Sequence, residues 1–145
     1  EMDLAIADFP KPYISLIDGI VMGGGLGISV NGRYRVMSEH IMAAMPETGI
    51  GLLPDVGATA FLNKCPGRIG LYLGLTGARL DTADALHAGF ATHFVPRDRQ
   101  QNLLESLVSA EYLGDNFEIV EGIIALFSGD PGCSPATMLK KSSRR

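Results

Sequence analysis

Two acidic residues, Glu47 and Asp55, stand in Met45-Pro-Glu-Thr-Gly-Ile-Gly-Leu-Leu-Pro-Asp-Val-Gly57, a segment that is otherwise apolar and interrupted by glycine. A carboxyl in such surroundings is suited to chemistry, either taking a proton from water or attacking an electrophile itself. Upstream runs Asp18-Gly-Ile-Val-Met-Gly-Gly-Gly-Leu-Gly27, where an apolar stretch enters consecutive glycines, so backbone amides can approach a ligand oxygen with no Cβ in the way. Together the two segments predict an oxyanion pocket faced by two acids. Each also has a plainer use: Glu47 can cap a turn, Asp55 after Pro54 can close an Asx turn, and Gly23 to Gly25 can be a tight bend.

The glycine turn does not match the common nucleotide loops. A dinucleotide fingerprint begun at Gly23 or Gly25 needs glycine at 28 or 30, where the chain has Ile28 and Val30, and the Lys-Ser/Thr of a P-loop is absent. Gly27-Ile-Ser29-Val-Asn31 is not a nucleophile elbow, because Asn31 stands where the second glycine belongs, so Ser29 reads as structural. His93, in an apolar strand pattern, reads as a satisfied core histidine; His40 and His87 have no partner at a telling spacing. Lys11, Arg33, Arg35, Lys64 and Arg68 read as solvated charges, with a phosphate contact among them as the alternative.

Around these candidates the pattern is α/β, in one domain. Glu1 to Pro10 reads as the last turns of a helix stopped by Pro10 and Pro12, as in a piece of a longer protein. Tyr13 to Ile17 predicts a strand, Asp18-Gly19 a turn, Ile20-Val21 a second extended pair, and Gly25 to Val30 a short helix. Arg33 to Ser38 and Ile41 to Ala44 read as two short buried strands joined near Glu39-His40. Helices are expected over 57–65, over 68–76 ended by Gly77, and over 83–88 capped by Asp81 or Thr82 and stopped by Gly89. Phe90 to Val95 reads as a strand closed by Pro96. Two amphipathic helices follow, about 97–110 with Leu103, Leu104 and Leu107 inward, and 117–127 with Ile119, Ile123 and Leu126 inward.

Composition narrows the classes of function. With 145 residues, 46% hydrophobic and 19% charged, the chain is long enough for one globular core. A net charge of -4 and a pI near 5.3 argue against a nucleic-acid or anionic-membrane partner, which needs a basic face. Cys65 and Cys133 lack disulfide density and zinc-site spacing, so both read as reduced packing residues and no metal is expected. No apolar run reaches the length of a membrane span, and Glu1 to Pro10 has neither a signal-peptide nor a transit pattern. Lys140 to Arg145 is short, basic and expected to fray.

Four ordered blocks carry a resemblance: Lys11-Pro-Tyr-Ile-Ser-Leu-Ile-Asp-Gly-Ile-Val-Met-Gly-Gly-Gly-Leu-Gly27, Met45 to Gly57, Leu73-Gly-Leu-Thr-Gly77, and Ala88-Gly-Phe-Ala-Thr-His-Phe-Val95. The chain resembles the crotonase (enoyl-CoA hydratase/isomerase) superfamily, and within it the branch that hydrolyses 3-hydroxyisobutyryl-CoA, over about 11–95 and more weakly through Pro135. The resemblance implies a crotonase-like (ClpP/crotonase) spiral core, incomplete at both ends. In it 1–145 is a single partial domain, with 11–57 holding strand and turn layers, oxyanion turn and acids, and 58–145 mainly helical. It implies an acyl-CoA thioester as substrate and no cofactor beyond the coenzyme A the substrate carries. It assigns Gly24, with Gly23 beside it, to the thioester oxygen and Glu47 and Asp55 to the reacting carbon.

Hydratases of the superfamily use two glutamates, and the position twenty before Glu47, where one would stand, is Gly27. The resemblance therefore favours hydrolysis over hydration. Family members begin with further strands and end with further helices, so an inactive piece exposing apolar surface and associating with itself is the competing expectation. The same resemblance places a bacterial protein in the cytoplasm and a eukaryotic one in mitochondria.

Overall fold

The computed structural model describes residues 2–132 of the chain. The expectations for Cys133 and for Lys140 to Arg145 lie outside the described residues. After a short helix α1 (Met2–Ala7), the chain enters β1 (Ile14–Ile17), turns at Gly19 (φ 91°), and continues as β2 (Ile20–Met22). Helix α2 (Gly24–Val30) then carries it back to β3 (Tyr34–Met37) and β4 (Met42–Ala44).

The consequence is layering. Parallel pairing requires a crossover, and α2 supplies it: β3 pairs with β1, Ile14 opposite Tyr34 and Ile17 opposite Met37, while β4 pairs with β2, Ile20 opposite Met42 and Met22 opposite Ala44. Each pass of the chain thus adds one strand to each of two sheets. A last short strand, β5 (His93–Phe94), joins the free side of β3, giving the order β1-β3-β5 beside β2-β4.

Four helical segments follow β4: a single 3-10 turn (Glu47–Ile50), then α3 (Ala58–Leu62), α4 (Ile69–Thr76) and α5 (Thr82–Ala88). α4 and α5 end on left-handed Gly77 and Gly89, as their sequence predicts, and Asp81 caps α5 by accepting from the Asp84 amide at 2.9 Å. α6 (Arg97–Ser109) and α7 (Asn116–Phe127) complete the described chain. Among the described residues, no helix is long and apolar enough to cross a membrane.

Strand alternation divides the core in two. Met37, fully buried, packs with Ile17, Leu26, Met45, Leu73 and Phe90 under α2 to α5. Tyr34 and Val36, on the opposite face of β3, pack with Leu103, Leu107, Val120 and Ile124 of α6 and α7. The Tyr34 hydroxyl donates to the Phe117 carbonyl at 2.7 Å, tying that face to α7, and burial raises its pKa. α3 and α4 pack so closely that a Cβ on Gly70 would run into the Leu62 backbone.

Three expectations are corrected. The strand over Phe90 to Val95 shrinks to His93–Phe94, because the amides of Phe90 and Ala91 turn back to the Ala85 carbonyl at 2.8 and 3.1 Å and finish α5. On α7 the buried stripe is Val120 and Ile124, with Leu126 80% exposed. Both choices have helical spacing, and only the position of β3 selects between them. On α6, Leu103 and Leu107 are buried and Leu104 is exposed.

Candidate active site

The glycine bend is built by Gly23, whose φ of 50° and ψ of -122° exclude residues with a Cβ, and which stands at the start of α2. The Gly27 amide donates to the Gly23 carbonyl at 3.0 Å, closing the first turn. The amides of that turn, beginning with Gly24, have no acceptor inside the helix. A Cβ built on Gly24 would meet nothing within 4 Å, so the backbone there is open to a ligand.

Glu47 lies against this bend. A Cβ built on Gly23 would come within 3.0 Å of Glu47 Oε1. β4 delivers Glu47 through buried Met45 and then Pro46, and the far side of that link is sealed by Gly77, where a Cβ would stand 3.2 Å from Pro46 Cα and 3.3 Å from the Met45 carbonyl. The following turn is fixed by the Gly49 amide donating to Pro46 (2.9 Å) and the Leu52 amide to Glu47 (3.0 Å). Glu47 is half-buried, and its Oε2 is buried with no hydrogen-bond partner among the described residues. A polar atom left that way costs about 1–3 kcal/mol, more for a charged group, and such atoms call for a functional explanation.

Asp55 is placed differently. It is exposed, and its carboxylate has no partner among the described residues. Its backbone carbonyl accepts from the Ala58 amide at 2.8 Å, which starts α3. The next residue, Val56, has φ 47°, the one positive φ at a non-glycine among the described residues. Such conformations cost about 1–3 kcal/mol and persist where the surroundings over-determine them. The surroundings here are Gly27 of α2, where a Cβ would fall 2.5 Å from Val56 Cβ and 2.7 Å from its Cγ2. Val56 therefore seats the turn that carries Asp55 on α2, one helical turn beyond Gly24.

An apolar groove of about 300 Å³ is lined by Thr48 and Pro54, sequence neighbours of the two acids, and by Leu53, Ala58, Leu62 and Leu75.

Other polar groups hold the frame. Asp18 accepts from the Ser38 hydroxyl and pairs with Arg97 Nη1 at 3.3 Å, and Arg97 N donates to Glu39 at 3.0 Å. Hydrogen bonds from its own amide and that of Arg97 hold the Glu39 carboxyl below the usual range. Arg35 corrects the expectation of a solvated charge: its guanidinium donates to the carbonyls of Gly32 (2.6 Å), Phe90 (3.1 Å) and Gly89 (3.3 Å), and burial lowers its pKa. Ser29 donates back to the Gly25 carbonyl, the structural role expected of it. His93 bonds Thr92 Oγ1 at 2.9 Å and Glu121 at 3.1 Å, satisfied as expected. Sequence reasoning expects Asp18 only as part of a turn and gives no role to Val56. Among the described residues no three His, Cys, Asp or Glu side chains gather as a metal site.

Comparison with known proteins adds the following. A family model described as enoyl-CoA hydratase/isomerase matches residues 1–142. The mitochondrial 3-hydroxyisobutyryl-CoA hydrolase of Xenopus tropicalis is 55% identical over 105 residues, 72% of this chain and 27% of that protein. The mitochondrial enzyme of the same name from Mus musculus is 49% identical over 120 residues, 83% of this chain and 31% of that protein. Among solved structures, a carnitinyl-CoA dehydratase from Mycobacterium thermoresistibile superposes with a TM-score of 0.83 at 40% identity, covering 96% of this chain and 38% of that one. The chain thus spans about a quarter to a third of the length of the curated relatives it matches.

Proposed function

Because this chain belongs to the enoyl-CoA hydratase/isomerase family and has its crotonase-like α/β fold, we propose that it carries the acid-bearing part of a site for hydrolysis of a short-chain acyl-CoA thioester. The acyl group is taken from the relatives' names, which give 3-hydroxyisobutyryl-CoA; the products are 3-hydroxyisobutyrate and coenzyme A, a step of valine catabolism. Two of those relatives are named as mitochondrial, and the same compartment is proposed here for a eukaryotic host, the cytoplasm for a bacterial one.

What carries the reading is the buried, unpartnered Oε2 of Glu47 beside a bend whose backbone is open at Gly24. In the reaction the thioester oxygen accepts from the Gly24 amide, and the negative charge that grows there as the carbonyl is attacked is stabilised by about 3–4 kcal/mol per aimed donor. Glu47 takes a proton from the attacking water, the carbon–sulfur bond breaks, and the thiolate of coenzyme A leaves and is protonated. Asp55 orients the water or the substrate hydroxyl. In the variant of this scheme where Glu47 attacks the carbonyl directly, a mixed anhydride forms and water then opens it. After a single turnover in ¹⁸O-labelled water, label in Glu47 marks the anhydride route with water opening the anhydride at the Glu47 carbonyl, whereas base catalysis puts the label in the product acid alone.

A second reading, alkene hydration, draws on the 40% identity to a structure named as a dehydratase. A third, self-association, draws on exposed Ile50, Leu53, Leu71 and Leu75 around the apolar groove. The test uses the longest natural polypeptide that contains residues 1–145. Release of free thiol from 3-hydroxyisobutyryl-CoA, lost in Glu47→Gln, is the expected result. Consumption of an enoyl-CoA double bond without thiol release supports hydration, and concentration-dependent sedimentation with neither activity supports association.

A further inference from the structure

The contact between Val56 and Gly27 joins the Asp55 turn to the helix that begins at the bend, and the reaction scheme above gives it no role. Three observations define it. Val56 holds a left-handed backbone that a β-branched side chain rarely adopts, and glycine would take it without strain. The facing position on α2 is glycine, and there a Cβ would fall 2.5 Å from Val56 Cβ, so the two residues fit only as a large and a small member of one pair. Asp55 has no side-chain anchor of its own among the described residues; its place is set by Val56 on one side and by the Ala58 amide on its carbonyl.

Val56 packs, partly buried, against the larger apolar core as well as against Gly27. A glycine at 56 would keep the turn and remove the strain, yet the seat of the Asp55 turn on α2 would be lost. We infer that Val56, clamped against Gly27, is a positioning residue that sets where the Asp55 carboxylate stands relative to the oxyanion bend. Resting on the proposed thioester hydrolysis, this assigns the pair a function: strain retained at Val56 limits the freedom of an otherwise unanchored acid. A small displacement of such a group is costly, since a shift of about 1 Å in a reacting site can lower turnover by about a hundredfold.

The test measures turnover of 3-hydroxyisobutyryl-CoA and thermal unfolding for Val56→Gly, Val56→Thr, Gly27→Ala, Asp55→Asn and the doubles, in the longest natural polypeptide containing the chain. Val56→Gly should lower kcat by about tenfold or more with KM within about twofold, while its melting temperature stays near that of the parent. Val56→Thr, which keeps the β-branched shape, should retain kcat. Gly27→Ala should lower kcat as Val56→Gly does, and should add little in the Val56→Gly background, where only the 3.2 Å approach to the residue-56 carbonyl is left. Val56→Gly should likewise add nothing to Asp55→Asn. Normal kcat in Val56→Gly, or effects that multiply with Asp55→Asn, overturns the inference. Should Val56→Gly fail to fold, the Gly27→Ala and Val56→Thr pair decides: loss in the first with retention in the second supports positioning, and any other outcome overturns it. Glu47→Gln serves as the control, because turnover undiminished by it refutes the hydrolase reading itself, and loss in Glu47→Gln with normal Val56→Gly refutes only the positioning.

Discussion

Glu47 and Asp55 sit on opposite kinds of support. Glu47 is held on both sides, with Gly23 beneath its carboxyl and Gly77 behind Pro46, and it keeps a buried oxygen with no hydrogen-bond partner among the described residues. Asp55, eight residues later, is exposed and is held only through the backbone and the strained seat of its neighbour. The first support places a polar atom where it costs stability; the second places strain in the chain beside the acid. Both are expenditures that a purely structural segment would avoid, and they fall on the two carboxyls that the sequence singles out. The contrast teaches that the scaffold confines Glu47 by burial and Asp55 by conformation, so perturbations should separate them.

The largest effect is expected at the bend. Gly23→Ala forces a side chain into φ 50° and against Glu47 Oε1 at 3.0 Å. Stability should fall by about 1–3 kcal/mol and turnover by about a hundredfold, as the carboxyl is pushed aside; chemical denaturation and thiol release measure the two. Unchanged turnover would mean that the Glu47 side is not tightly held, which breaks the comparison.

Asp55→Asn is expected to be milder and purely kinetic. Turnover should fall by about tenfold to a hundredfold, with stability within about 0.5 kcal/mol of the parent, since an exposed carboxylate with no partner among the described residues contributes little to folding. A melting temperature lowered as far as in Gly23→Ala would show that Asp55 is held structurally after all.

The smallest effect sharpens the picture of α3, which the Asp55 turn initiates. Cys65 lies buried just beyond that helix, against the Phe61 carbonyl at 3.7 Å, and burial pushes its thiol up. Because the thiolate is the reacting form, alkylation of Cys65 at pH 7 should be slower in the native chain than in the unfolded chain by about tenfold or more, and should quicken as pH rises. Peptide mapping by mass spectrometry follows Cys65 separately from Cys133. Rapid native labelling at pH 7 would mean that α3 opens readily and that the Asp55 turn is looser than described.

What the sequence made legible was whatever depends on local chemistry. The Gly23 to Gly25 turn, the Asp81 cap and the stops at Gly77 and Gly89 could be read because glycine and aspartate have few other reasons to stand there. Glu47 could be read because a carboxyl among apolar residues is conspicuous. Features set by tertiary contact stayed hidden. Val56 is a poor residue for a left-handed turn, so no local signal announces it; only the absence of a side chain on Gly27, distant in sequence, makes room for it. Arg35 looks like any surface cation until three carbonyls are brought around it. The inward face of α7 is fixed by β3, and the Phe90 to Ala91 stretch, strand-like by composition, is claimed by the end of α5.

The central claim is that Glu47 is retained for chemistry at a cost to folding. Replacing it by methionine, unbranched and without polar oxygens, tests this most directly when unfolding free energy and thiol release are measured on the same preparation. The variant should no longer release coenzyme A yet be more stable than the parent by about 1 kcal/mol. A variant that is less stable than the parent, or one that still turns over the thioester, would contradict the claim.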